Sequence, residues 1–140
     1  MKILVAADGS EYTKRMLGYL AAHDEWLGER HEYTVVHAVP PVPPRPASVL
    51  DKSVIDGYYH DEAEAVLEPI RAFFNQRGLK ATFLHPVGPA AEVIVQAAEQ
   101  GRHDLVMLGS HGHGSLVNLL LGSVATKVVA GTKVPVLLVR

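Results

Sequence analysis

Hydrophobic and polar positions alternate along this chain between short unbroken apolar runs and helical stripes. Ile3 to Ala7 is one such run, closed by Asp8-Gly9-Ser10, the pattern of a strand buried on both faces. Ser10 is placed to cap a helix with Glu11 in its first turn, and Met16, Leu17, Leu20, Ala21 and Leu27 carry helical spacing to about Gly28. Tyr33 to Val39 is a second β-branched run. Residues 40–57 break the rhythm, because Pro40, Pro41, Pro43, Pro44 and Pro46 oppose both helix and interior strand. That segment reads either as a stiff connector or as a lid beside a site. A helical stripe resumes near Gly57 and runs through Ala63, Val66, Leu67, Ile70, Phe73 and Phe74 to Gly78, with a kink expected at Pro69. Lys80 to Pro86 predicts a third strand, and Gly88-Pro89 opens a helix that stops at Gly101. Asp104 to Gly109 predicts a fourth strand, Ser123 to Ala130 a last helix, and Val134 to Val139 a fifth strand.

Strict strand–helix alternation predicts an α/β fold in one domain over residues 1–140, a Rossmann-like open parallel sheet of five strands with helices on both faces. Right-handed crossovers leave few strand orders, of which 3-2-1-4-5 is favoured. In that order the first and fourth strands are neighbours whose connections leave on opposite faces. Ligands of such sheets bind in the crevice beyond the strand carboxyl ends at that reversal. Asp8 ends one lip and Gly109 the other.

Composition narrows the chemistry. The 140 residues contain no cysteine, which excludes disulfides, thiolate metal sites and a cysteine nucleophile. A net charge of −2 argues against a grip on nucleic acid backbones, and no apolar run approaches the length of a membrane span. The first residues lack the pattern of a signal peptide, so the expectation is a cytoplasmic protein.

The richest segment is Gly109-Ser110-His111-Gly112-His113-Gly114-Ser115, followed by Gly122-Ser123. Glycines let backbone amides approach and encircle an anion, and the start of the last helix adds free amides and a positive dipole end. The plainer reading is tight turns, with Ser123 an ordinary N-cap. Ser115 stands where a Walker loop needs lysine, and a dinucleotide fingerprint would follow the first strand, not the fourth. Asp8 either contacts a ligand or caps the first helix, a task for which Ser10 is also available. His111 and His113 have no third partner nearby in sequence, and zinc needs three or four ligands.

The spacing Gly109-x2-Gly112-x9-Gly122-Ser123, with Ile-Leu-Val-x-x-Asp-Gly-Ser at the start and Val-Pro-Val-Leu-Leu-Val at the end, resembles the ATP-binding branch of the universal stress protein family along the whole chain. The resemblance implies an adenine nucleotide, ATP foremost, with magnesium accompanying its phosphates. It implies that Ala7 and Ala38, with Val39 close by, line the base and ribose, and that Asp8 accepts hydrogen bonds from the nucleotide. Leu108, Gly109, His111 and Gly112 would flank ribose and phosphates, with His113 beyond them. Gly122, Ser123, Val124 and Ala125 would receive the phosphate chain. Two positions depart from the family pattern: Ala125 lacks a frequent hydroxyl, and His113 replaces a longer polar or basic side chain. The resemblance also implies a regulatory binding module that forms a homodimer through its last strand. The alternatives are a slow magnesium-dependent or autophosphorylating ATPase, with Lys127 near the phosphates, and a nucleotide-independent dimeric scaffold.

Overall fold

The computed structural model describes residues 1–23, 30–114 and 118–140. Its strands are β1 (Lys2–Ala6), β2 (Glu32–Val36), β3 (Ala81–Leu84), β4 (Leu105–Gly109) and β5 (Val136–Val139). All pairings are parallel, in the order β3-β2-β1-β4-β5. The register sets Ala6 beside Val36 on one side and beside Leu108 on the other, so the three strands end at one level.

The helices are α1 (Glu11–Ala22), α2 (Pro44–Ala47), α3 (Lys52–Gln76), α4 (Ala90–Gln100) and α5 (Ser123–Gly131). α1 closes at Ala22, and the Leu27–Gly28 end of the expected helix lies outside the described residues. The proline-rich segment departs from expectation. Pro44 opens a single helical turn held by Ala47 N–H to Pro43 O (3.1 Å) and Ser48 N–H to Pro44 O (3.0 Å). Prolines in a first turn sacrifice no hydrogen bond, since the amides there have no helical partner. α3 then starts at Lys52, ahead of Gly57, with Asp51 at the N-cap position. An interior glycine costs only about 1 kcal/mol. The buried stripe of Ala63, Leu67, Ile70 and Phe74 anchors the helix, which continues past the exposed Pro69.

Each sheet face carries its own apolar layer. Toward α1 and α3, Ile3, Val5, Tyr33, Val35 and Met107 pack with Met16, Leu20, Leu67, Ile70 and Phe74. Toward α4 and α5, Leu4, Val36, Val106 and Leu108 pack with Val93, Ile94, Ala98, Ala125 and Val128. The alternation of side chains along each strand produces this division.

Candidate functional site

Beyond Ala6 and Leu108 the two central strands part company. The amide of Ala7 turns to Val36 O on β2 (2.9 Å), whereas that of Ser110 turns to Val139 O on β5 (2.8 Å). Between them opens a hollow of about 520 Å³, within the range of small-molecule sites. Its floor is apolar, built by Ala6, Val36, Ala38, Ile94, Leu108 and Ala125.

One lip is tied by Asp8. Its Oδ1 accepts from Ser10 N–H (2.9 Å) and the Thr13 hydroxyl (3.0 Å), and Thr13 Oγ1 accepts in turn from the amides of Asp8 (3.1 Å) and Gly9 (3.2 Å). Asp8 therefore organises the start of α1, while Ser10, at the N-cap position, makes no side-chain cap bond. This reverses the division of labour expected from the sequence. Burial pushes the Asp8 carboxyl up, but the hydrogen bonds from Ser10 and Thr13 and the nearby His113 outweigh it and hold it below its ordinary value.

The opposite lip depends on glycine for close approach. A Cβ on Gly112 would lie 2.6 Å from Asp8 Oδ2, and one on Gly122 would crowd the backbone at His111 Cα (3.1 Å) and Ser110 O (3.2 Å). Gly122 N–H donates to Ser110 O at 2.7 Å and joins the β4 loop to α5. Gly122 is the N-cap residue and Ser123 the first helical position, so Ser123 is not the N-cap. The amides of Ser123, Val124 and Ala125, in the first turn, lack intrahelical partners at the mouth of the hollow. Two histidines close the rim: His113 Nε2–H donates to Asp8 O (2.8 Å) and His111 Nε2–H to Leu119 O (2.7 Å).

The structure brings Ala7, Asp8, Ala38, Leu108, Gly109, His111, Gly112, His113, Gly122, Ser123, Val124 and Ala125 around this one hollow. Val39 does not line it. It is fully buried in the layer facing α1 and α3, where strand alternation turns it away from Ala38. Lys127 borders a separate groove with Glu92, Gln96 and Gly131, and no lysine or arginine lines the hollow among the described residues. Tyr12, Thr13, His37, Pro40, Ala90 and Leu119 also line it, unforeseen from the sequence. Thr13 was findable as a hydroxyl in the first turn after Asp8; His37, whose Nδ1–H donates to Ala7 O (2.9 Å), carried no such signal. His103 is buried and bonds through Nδ1–H to Ala97 O. No three His, Asp or Glu side chains converge as a metal site among the described residues. No helix among them is long and apolar enough to cross a membrane.

Comparison with known proteins places these features in context. A model of the universal stress protein family matches residues 1–140. A universal stress protein of Thermus aquaticus is 36% identical over 138 residues, covering 99% of this chain and 97% of that protein. The structure of protein MJ0577 from Methanocaldococcus jannaschii is 26% identical, with a TM-score of 0.77 and coverage of 99% of this chain and 94% of that one. A universal stress protein from Archaeoglobus fulgidus, 23% identical with TM-score 0.69 and covering 100% of this chain and 98% of its own, was determined in complex with dAMP. Two more distant proteins of the same fold, at 16% and 19% identity, are described with AMP and with cAMP.

Proposed function

The chain belongs to the universal stress protein family, and from that premise we propose that it binds an adenine nucleotide, ATP foremost, between β1 and β4 as a regulatory module of the stress response. The observation that carries this reading is the hollow itself: an apolar floor for a base, a glycine rim, and the free first-turn amides of α5 for phosphates. The nucleotide complexes of proteins with the same fold support the ligand class.

In this reading Ala7 and Ala38 border the base and ribose, Asp8 stands at the sugar side, and Gly109, Gly112 and Gly122 admit phosphate oxygens to the backbone. Magnesium would accompany the phosphates and keep most of its own waters. Turnover is not part of the reading. Phosphoryl transfer relies on cationic groups at the transferred phosphate, and Lys127 faces another groove.

The proposal extends to a cytoplasmic homodimer joined through β5, the edge strand on which Val136 to Val139 are all half-buried. Val136 and Leu138 lean on the layer toward α4 and α5, and Leu137 and Val139 on the other. Unpaired apolar edges invite pairing. Val136→Asp is expected to convert a dimer to a monomer in light scattering after size exclusion; a wild-type monomer would remove this part of the reading. The ligand is tested by denaturing freshly purified protein and identifying the released small molecule by chromatography and mass. An adenine nucleotide near one per chain is expected. No nucleotide, and none taken up from millimolar ATP with magnesium, would make the glycine loop purely structural and bring the scaffold reading forward.

A further inference from the structure

We propose that His111 and His113 are titratable phosphate grips, so that acidification tightens the hold of this crevice on phosphorylated ligands. The inference rests on the nucleotide-binding reading and names its regulation.

Both imidazoles border the hollow, and both are fixed by a bond that determines their tautomer. A carbonyl only accepts, so His113 Nε2 carries the proton toward Asp8 O (2.8 Å) and His111 Nε2 the proton toward Leu119 O (2.7 Å). The atom left to gain a proton in each ring is Nδ1. For His111 that atom meets Ser110 Oγ at 2.9 Å. This hydroxyl donates to a neutral Nδ1 and, by rotating, accepts from a protonated one. His113 Nδ1 has no protein partner among the described residues and lies in an exposed ring. Two positive charges can therefore be added to the rim without breaking either bond. The device changes charge while leaving the geometry of the cradle intact.

The surrounding charges make these two rings the variable ones. From the β1–α1 connection, the Asp8 carboxylate is the charged group beside His113, which helps hold that carboxyl below its ordinary value. From α1, the Tyr12 ring lies 5.2 Å from that of His111, and Arg15 covers Tyr12 at 5.0 Å without lining the hollow. α4 contributes Ala90 and Ile94 to the hollow, and α5 contributes Ser123, Val124 and Ala125, none of them charged. Lys127 and Glu92 border the other groove. The end of β2 contributes a third imidazole, His37, which is buried, bonded through Nδ1–H to Ala7 O, and left in place in both proteins compared below. With no lysine or arginine in the lining among the described residues, the side-chain positive charge available to phosphate is imidazolium. Imidazoles titrate between about pH 5 and 8. Phosphate favours the charged ring, so binding takes up protons. The affinity gain is complete at the acid end of that range and disappears as pH rises through it.

The test measures ATP binding by isothermal titration calorimetry at pH 6.0 and 8.0, for the wild type and for His111→Gln/His113→Gln. Glutamine keeps a side-chain N–H donor for each carbonyl but cannot gain a proton. Adenosine, which has no phosphate, is titrated in parallel. Titration of ATP itself is common to both proteins and cancels in the comparison. The wild type is expected to gain about tenfold more affinity for ATP between pH 8.0 and 6.0 than the double variant, with adenosine binding unchanged. His113→Gln alone is expected to remove part of the gain and serves if the double variant fails to fold. Equal pH responses of wild type and variant, or an equal response toward adenosine, would overturn this inference and leave the nucleotide reading standing. No ATP binding by the wild type at either pH would overturn both.

Discussion

The two faces of the sheet are filled by different kinds of residue, and the difference locates the site. Toward α1 and α3 the layer holds Phe74, Tyr33, Met16, Leu67 and Ile70, with Val39 sealed at 0% exposure near the strand ends. Phe74 meets Tyr33, Phe73 and Phe83 edge to face, which fills that layer densely. Toward α4 and α5 the layer thins at the carboxyl end to Ala6, Ala38, Ala90 and Ala125, and there the hollow opens. Small side chains, and glycines where loops must touch, leave room for a ligand. The binding face is thus made by subtraction from the same architecture that closes the other face.

This contrast predicts separable effects. Phe74→Ala on the closed face is expected to cost about 3–5 kcal/mol in chemical denaturation, while ATP affinity of the folded protein stays within about twofold. Coupled losses of the two would mean the faces are not independent. Ala38→Phe on the open face should do the reverse. Its ring would occupy the hollow and lower ATP affinity at least about thirtyfold, with stability changed by about 1 kcal/mol or less because the site is only half-buried. Undiminished affinity would take the base away from this end of β2.

The smallest effect concerns the lip between the faces. Asp8→Ala removes the acceptor that holds Ser10 N–H and the Thr13 hydroxyl and is expected to cost about 0.5–2 kcal/mol, as for a lost helix cap. The folded Asp8 carboxyl is held below its ordinary value. Its contribution is therefore present above the unfolded value of about 4 and is lost as pH falls through the folded one. Wild type and variant should differ fully at pH 7 and converge in acid. A constant difference down to pH 2 would mean that Asp8 stabilises the fold by contacts unrelated to its charge.

Strand order and the crevice were legible because β1, β4 and β5 are short apolar runs, β2 and β3 are β-branched or aromatic segments of strand length, and the alternation with helices admits few topologies. What escaped was local. Pro44 and its neighbours read as helix breakers, yet a first turn tolerates them, so α2 and the first turn of α3 were hidden. The resemblance puts Val39 with Ala38 at the base, whereas alternation puts the two on opposite faces. The histidine clasps end on backbone carbonyls at Asp8 and Leu119, and a carbonyl acceptor leaves no mark in a sequence. Ser10 suits the cap role by residue type, but the carboxylate two positions earlier instead ties Ser10 N–H, through an Asx-type turn, and the Thr13 hydroxyl.

The central claim, that an adenine nucleotide sits between β1 and β4, is tested most directly by titrating ¹⁵N-labelled protein with ATP and following amide shifts. The account predicts saturable changes at Ala7, Gly109, Gly112, Ser123 and Val124. Amides of the groove at the amino ends of β2 and β3, such as His31, Gly78 and Lys80, should stay unchanged. Saturable shifts confined to that second groove, or none at millimolar ATP, would contradict it.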